Sequence, residues 1–263
     1  MPLSRTVGVT TVIALDDGVG PYFRPRREAF PQASAEQWSR ADELDPRART
    51  ADGEWLLRFR CFAIRTADGA VTLVDAGIGP VGAPASSWAP VPGLLPAELK
   101  TAGIDPDDVT SVVLTHLHSD HIGWAVVGEP YFRNATYVLQ RAEHAALGLF
   151  GPTLGGQLIE PLESRDQLRL LDGDVALSPA VRVVATPGHT PGHQSVLVED
   201  GDTTVAITGD LLVHAIQLID PELEYAYETD PARARASRIG LLNQLSGRDA
   251  LATSHLGEPF GYV

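Results

Sequence analysis

One cysteine, Cys61, is all that this chain of 263 residues contains, so no intrachain disulfide can form and composition lends no support to an oxidising compartment. Lysine is equally scarce, with Lys100 alone, and Lys plus Arg number 20 against 34 Asp plus Glu, a formal net charge of −14. A nucleic-acid partner needs clustered basic side chains against its phosphates, so this balance excludes that class. Long apolar runs are missing too, since nothing approaches the roughly 20 residues of a membrane-crossing helix. The stretch Val7 to Leu15 follows Arg5 as an export signal would, but Asp16 and Asp17 come at once and no small-residue cleavage site is present. Its β-branched content suits a first strand. Together these absences predict a cytoplasmic protein with no membrane segment.

What the chain does have is enough apolar residue for a core, 44% of the total, and a length that fits one α/β domain over residues 1–263. Apolar, β-branched runs predict strands at Val7 to Leu15, Trp55 to Arg65, Val71 to Asp75, Val109 to Leu114, Ala135 to Leu139, Val181 to Ala185, Ser195 to Val198 and Thr204 to Thr208. Helices are predicted at Pro96 to Ala102, Arg141 to Ala146 and Pro231 to Leu245. Two stretches show no regular pattern. One covers about residues 21–52, carries Pro21, Pro25, Pro31 and Pro46 among many charges, and reads as an insertion serving as a lid or a dimer arm. The other, about residues 79–95, is proline-rich and places Trp88 near the segment Leu73-Val74-Asp75-Ala76-Gly77.

The chemistry concentrates after the apolar run Val112-Val113-Leu114-Thr115, in His116-Leu117-His118-Ser119-Asp120-His121. A strand sends residues i and i+2 to the same side, so His116 and His118 can reach one ion together. Asp120 and His121 can then serve a second. Imidazole nitrogen and carboxylate oxygen suit zinc, or iron, manganese or cobalt in its place. Cys61 has no place in the constellation, which leaves nitrogen and oxygen donors. Three later segments each put one donor directly after a strand-like run: Thr186-Pro187-Gly188-His189, Thr208-Gly209-Asp210 and Thr253-Ser254-His255. Two other histidines read differently, His193 as a hydrogen-bonding scaffold residue and His144 as a helix surface residue.

In the order and spacing of these segments the chain resembles the metallo-β-lactamase-fold hydrolases over nearly its whole length. The resemblance implies a four-layer αββα sandwich with the site along the edge between two sheets. It implies two divalent ions, zinc foremost, with His116, His118 and His189 on the first, Asp120, His121 and His255 on the second, and Asp210 bridging them. Asp75 matches a carboxylate that orients a ligand imidazole from behind and fixes its tautomer. Asp210 to Gln217, Glu228-Thr229-Asp230-Pro231, the Gly-Leu-Leu-Pro entry at Gly93 and the Gly123-Trp124 pair resemble the branch of acyl-homoserine lactonases and methyl-parathion-type organophosphate hydrolases. In several lactonases of that branch the third position after the bridging Asp is a Tyr or His that helps hold the substrate. Here it is Val213, so either His214 takes over or the substrate differs. Trp88, Trp124 and His214 are the candidate pocket residues.

The implied reaction is hydrolysis of a lactone or related ester by a hydroxide shared between two ions, with Asp120 holding the hydroxide and returning its proton to the leaving group. Phosphotriester or thioester cleavage is the alternative within that class. A binding or biosynthetic protein that keeps the metal site for a non-hydrolytic reaction is the alternative outside it. The expected partner is a small molecule, and the expected assembly a homodimer.

Overall fold

A computed structural model describes residues 2–262 of the protein. The first sheet holds β1 (Ser4–Val7), β2 (Thr10–Pro21), β3 (Leu56–Arg65), β4 (Val71–Val74), β5 (Val109–Val113), β6 (Thr136–Gln140) and β7 (Leu168–Leu171), side by side in chain order. Pairing is antiparallel from β1 to β4 and parallel from β4 to β7. The second sheet, also in chain order, holds β8 (Val175–Ser178), β9 (Val181–Ala185), β10 (Gln194–Asp200), β11 (Thr203–Ile207), β12 (Ala250–Ala252) and β13 (Phe260–Tyr262), with β11 and β12 parallel. Four helices matter below: α1 (Ala35–Leu44), α2 (Leu95–Thr101), α3 (Arg141–Ala145) and α4 (Pro231–Leu242).

Period-two alternation sorts the strand residues into layers. Val12, Ala14, Phe62, Ile64 and Val113 of the first sheet pack against Val183, Val196, Val198 and Ile207 of the second. Their chain neighbours Ile13, Leu15, Cys61, Ala63 and Val112 point to the opposite face, where Leu95 and Leu99 of α2 and Leu158 and Leu162 of a later helical segment cover them. On the far side of the second sheet, Leu197, Ala206 and Leu251 meet Leu241 of α4. The layers therefore run helix, sheet, sheet, helix, the αββα sandwich that the resemblance implies. Each large apolar side chain removed from water contributes roughly 1.5–3 kcal/mol, so the sheet-to-sheet contact is what keeps the two halves aligned.

Three sequence expectations change. Val7 to Leu15 is not one strand, because Gly8, at φ 58°, turns the chain back on itself and β2 then continues to Pro21. Nor is the stretch 21–52 irregular throughout. Ser34 and Gln37 form a reciprocal capping box that starts α1, and Trp38 and Ala41 of that helix are buried. Phe30 and Trp38 join Trp55, Val213 and Tyr225 in one cluster, so this segment is packed into the wall of the site, where a lid would have to be free. Finally, β7, β8 and β13 fall outside the expected strands; they are sheet edges of 4, 4 and 3 residues, too short to show a pattern. Among the described residues no helix is long and apolar enough to cross a membrane.

The fold positions the site by ending several strands at one edge. The loops after β5, β9, β11 and β12 carry His116 to His121, His189, Asp210 and His255 respectively. Buried Asp17 anchors the neighbouring proline-rich loop, accepting the N–H groups of Ile78 at 2.5 Å and Leu95 at 2.6 Å.

Candidate metal centre

Hydrogen bonds behind the imidazoles decide which nitrogen faces inward. Asp75, held at φ 63° just past β4, accepts the Thr115 N–H at 2.7 Å and the Thr115 hydroxyl at 3.0 Å. That hydroxyl has spent its proton, so it accepts from His116 Nδ1 at 3.0 Å, which leaves His116 Nε2 bare. Asp75 also accepts from His121 Nδ1 at 2.8 Å, and the Arg58 carbonyl accepts from His255 Nδ1 at 2.6 Å. In each of the three rings the lone pair on Nε2 is turned toward the centre. These tautomers follow from the network, and Asp75 stands where the sequence places it, behind the ring of His121.

The inward atoms fall into two groups, His116 with His118, His189 and Asp210, and Asp120 with His121 and His255. His118 Nδ1 lies 2.9 Å from His116 Nε2 and 3.0 Å from His189 Nε2. Asp210 divides itself between the groups. Its Oδ2 is 3.2 Å from His189 Nε2 and 3.8 Å from His116 Nε2, while its Oδ1 is 3.0 Å from His255 Nε2 and 3.2 Å from His121 Nε2. Asp120 closes the second group, 3.4 Å from His121 and 3.5 Å from His255.

This donor set fits a pair of cations. His121 Nε2 and Asp210 Oδ1, 3.2 Å apart, are both buried without a hydrogen-bond partner. Burial holds His116 and His118 well below the usual imidazole range, so both rings are neutral donors. Burial opposes the charge on Asp210 as well, but the imidazoles of His255 and His121 foremost outweigh it and hold the carboxyl well below the usual carboxylate range. Where no cation sits between them, Asp120 and Asp210 draw protons onto His121 and His255, whose pKa values rise despite burial. Buried charges of this density need a counter-charge, and protons or metal ions are the two that fit.

A clamp that the sequence reading missed ties the loops together. Glu143 of α3, fully buried, accepts the Leu117 N–H at 3.0 Å with one oxygen and the Gly192 N–H at 2.7 Å with the other. It thereby spans the loops of His118 and His189. Gly192 is needed there, because a Cβ would lie 2.2 Å from the Glu143 backbone nitrogen. His193 is the scaffold residue expected: its Nε2 accepts the Asp210 N–H at 3.0 Å, and burial pushes its pKa down to about 3. His144 lies at the surface 3.6 Å from Glu163.

Above the donors opens a cavity of about 370 Å³. Its floor is His118, Asp120, His189, Asp210 and His255; its walls include Tyr22, Phe23, Trp55, Trp88, Val213 and Tyr225. Trp88 is where the sequence puts it, its indole N–H donating to the Ser119 hydroxyl at 3.1 Å. The other two expected pocket residues are elsewhere. Trp124 packs against Tyr131 and the core behind the first sheet, away from the cavity lining. His214 is boxed by the rings of Phe30, Trp38 and Trp55, with Nδ1 accepting the Ile216 N–H at 3.1 Å, and burial pushes its pKa down to about 3. Val213 reaches the cavity instead, so His214 does not take over its position. Tyr22 and Tyr225 carry no local sequence signal; only their place beside the capped helix and the Glu228-Thr229-Asp230-Pro231 segment could have raised them.

Comparison with known proteins follows the same lines. A sequence profile of the metallo-beta-lactamase superfamily matches residues 60–250. An N-acyl homoserine lactonase of Bacillus sp. is 37% identical over 101 residues, 38% of this chain and 37% of that protein. The N-acyl homoserine lactonase AttM of Azorhizobium caulinodans is 40% identical over 110 residues, 39% of this chain and 40% of that protein. Both alignments thus span well under two thirds of the relatives' length. Among solved structures, the hydrolase AbOPH of the beta-lactamase superfamily superposes with a TM-score of 0.78 at 22% identity, over 100% of this chain and 96% of its own. AidC, a dizinc quorum-quenching lactonase solved with a product, gives 0.78 at 24% identity, over 99% and 92%. At such identities the superpositions speak for the fold. The profile runs from within β3 to the start of β12 and takes in six of the seven donors, and the chain belongs to the metallo-β-lactamase superfamily.

Proposed function

We propose that the chain is a metal-dependent hydrolase that opens a lactone or cleaves a related uncharged ester. The observation that carries this reading is Asp210, whose two oxygens face separate groups of imidazoles at the floor of an apolar cavity. His116, His118 and His189 would hold one ion and Asp120, His121 and His255 the other, with Asp210 shared and zinc the best match to nitrogen and oxygen donors. Ions bound there supply a Lewis acid for the carbonyl oxygen and lower the pKa of water toward about 7. Asp120, 8% exposed at the cavity floor, accepts a proton from the attacking water and hands it to the leaving oxygen, which departs as an alcohol. The apolar walls lower the local dielectric and so strengthen each polar contact at the floor. The lactonases among the partial relatives support the choice of substrate class.

Proton release in weak buffer, from zinc-loaded protein offered lactones, aryl esters, thioesters, phosphotriesters and β-lactams, tests the reading. Lactone or ester turnover is expected, lost on chelation and restored by zinc. Asp120→Asn should lower kcat by about 10²–10⁴-fold, the scale of general acid–base catalysis; unchanged turnover would remove Asp120 from that role. Silence across the panel, from protein shown to carry two ions, refutes the hydrolase.

A further inference from the structure

Opposite the floor, two phenols meet inside the cavity. The hydroxyls of Tyr22 and Tyr225 lie 3.0 Å apart although the residues are 203 positions apart in the chain. Each residue is 8% exposed, and both line the cavity with Asp120, Asp210 and His189. The Tyr225 ring lies nearly parallel to that of His189, with centroids 6.0 Å apart and planes at 17°. Tyr225 therefore looks onto the floor from a fixed direction.

A hydroxyl in an apolar wall is costly unless it is hydrogen-bonded, and the mutual bond satisfies only part of this pair. Two phenols carry two protons and use one between them. Tyr227, packed on Tyr225 at 5.4 Å and interacting with Tyr22, can lengthen the string without changing the count, because a string of phenols always has one more O–H than it has internal bonds. One O–H remains at an end of the string, on Tyr225 or on Tyr227, and both residues line the cavity, with Tyr225 the one held over His189.

The loop that presents Tyr225 is held by buried polar contacts. Arg238, fully buried, donates to the carbonyls of Pro221 and Leu223 and pairs with Glu228 at 2.8 Å. Glu228 in turn accepts the Tyr225 N–H at 3.2 Å, and the Thr229 N–H reaches the His189 carbonyl at 3.0 Å. This stitching fixes Tyr225 relative to His189, as a satisfied buried network does. Among the described residues no Lys or Arg lines the cavity, so none of these wall residues offers a positive charge to an anionic ligand group.

We propose that the Tyr225 hydroxyl, backed by Tyr22, holds a neutral oxygen acceptor of the ligand, the carbonyl oxygen of a lactone or ester, against the floor. The substrate class is accordingly a neutral ester whose apolar substituent lies along the aromatic wall of Phe23 and Trp88. The proposal rests on the hydrolase reading, and its test is chosen so that the two can fail separately.

The probes are an α-acylamino-γ-butyrolactam, whose ring amide keeps the carbonyl but resists opening, and the same molecule with a cyclopentyl ring in place of the lactam. Binding to zinc-loaded protein is read from the fluorescence of Trp55 and Trp88, which line the cavity. Wild type should bind the lactam and prefer it to the cyclopentyl analogue. Tyr225→Phe should lose about tenfold of that preference, the scale of one neutral hydrogen bond, and Tyr22→Phe a smaller share, with zinc content unchanged in both. A wild type that binds no lactam, or a Tyr225→Phe protein that keeps the full preference, overturns the proposal. Lost preference in a protein silent toward every ester would uphold the phenol pair and sink the hydrolase; ester turnover with preference intact would do the reverse.

Discussion

The metal centre beneath the cavity takes its seven donors from four loops at strand ends, whereas the cavity wall takes Tyr22, Trp55, Trp88 and Tyr225 from segments that share no motif. In the second sheet β9 and β11 run the same way on either side of the antiparallel β10, and β12 lies parallel to β11, so their C-terminal ends share one edge and a donor placed just past each reaches the common centre. The wall has no such rule. It depends on a capped helix, a proline-rich loop and a buried ion pair each finding its place, and it can be rebuilt without disturbing the donors. The contrast teaches that the two parts should also fail separately.

The hardest blow to that separation is aimed at Arg238. Replacing it with Met leaves Glu228 buried without its charge partner, a loss on the order of 3–5 kcal/mol. Urea unfolding should show a drop of that size, while the folded protein still takes up zinc. If zinc content falls in step with stability, wall and floor are one unit and the comparison breaks.

A smaller effect sharpens the comparison within the floor. Glu143→Gln keeps one acceptor but turns an NH2 toward a backbone N–H, loosening the bond between the loops of His118 and His189. Partners behind a ligand shell typically govern 10–100-fold in metal affinity. Cobalt titration followed by absorption should show that loss at the His116, His118 and His189 group and little change at the other. Equal weakening of both would mean that Glu143 holds the fold as a whole.

A third effect lies in the wall and depends on pH. His214 has a folded pKa of about 3, lowered by burial, against about 6.5 unfolded. Between those values the unfolded chain binds a proton that the folded chain does not, so the contribution is complete above about pH 6.5 and is lost progressively as pH falls toward 3. The slope is about 1.4 kcal/mol per pH unit. His214→Gln, which keeps an acceptor for the Ile216 N–H, should remove that slope from the metal-free protein between pH 6 and 4. Parallel stability curves for variant and wild type would show that His214 is not buried neutral.

The same contrast explains how much was legible. His116, His118, Asp120 and His121 stand out because four donors fall within six residues directly after an apolar run, and His189, Asp210 and His255 because each follows such a run. The sandwich was readable from the order of those runs. Glu143 was not, since a Glu in a short helix looks like any surface charge until its two oxygens are found on Leu117 and Gly192. His214 misled because four positions after Asp210 suggests the same face, but the chain turns at Gly209–Leu211 and Ile216–Ile219, and the ring swings behind Val213. For α1 the signal was present in Ser34-Ala35-Glu36-Gln37 and was masked by the surrounding prolines.

The chain crosses from one sheet to the other through Asp172-Gly173-Asp174, a short polar joint between β7 and β8. Everything before that joint contributes His116, His118, Asp120 and His121; everything after it contributes His189, Asp210 and His255. Each donor group draws on both sides, so neither half of the polypeptide carries a full set. The coordination sphere is thus a readout of assembly: cut at the joint, the protein would become a two-piece sensor whose affinity for metal reports whether its pieces have found each other.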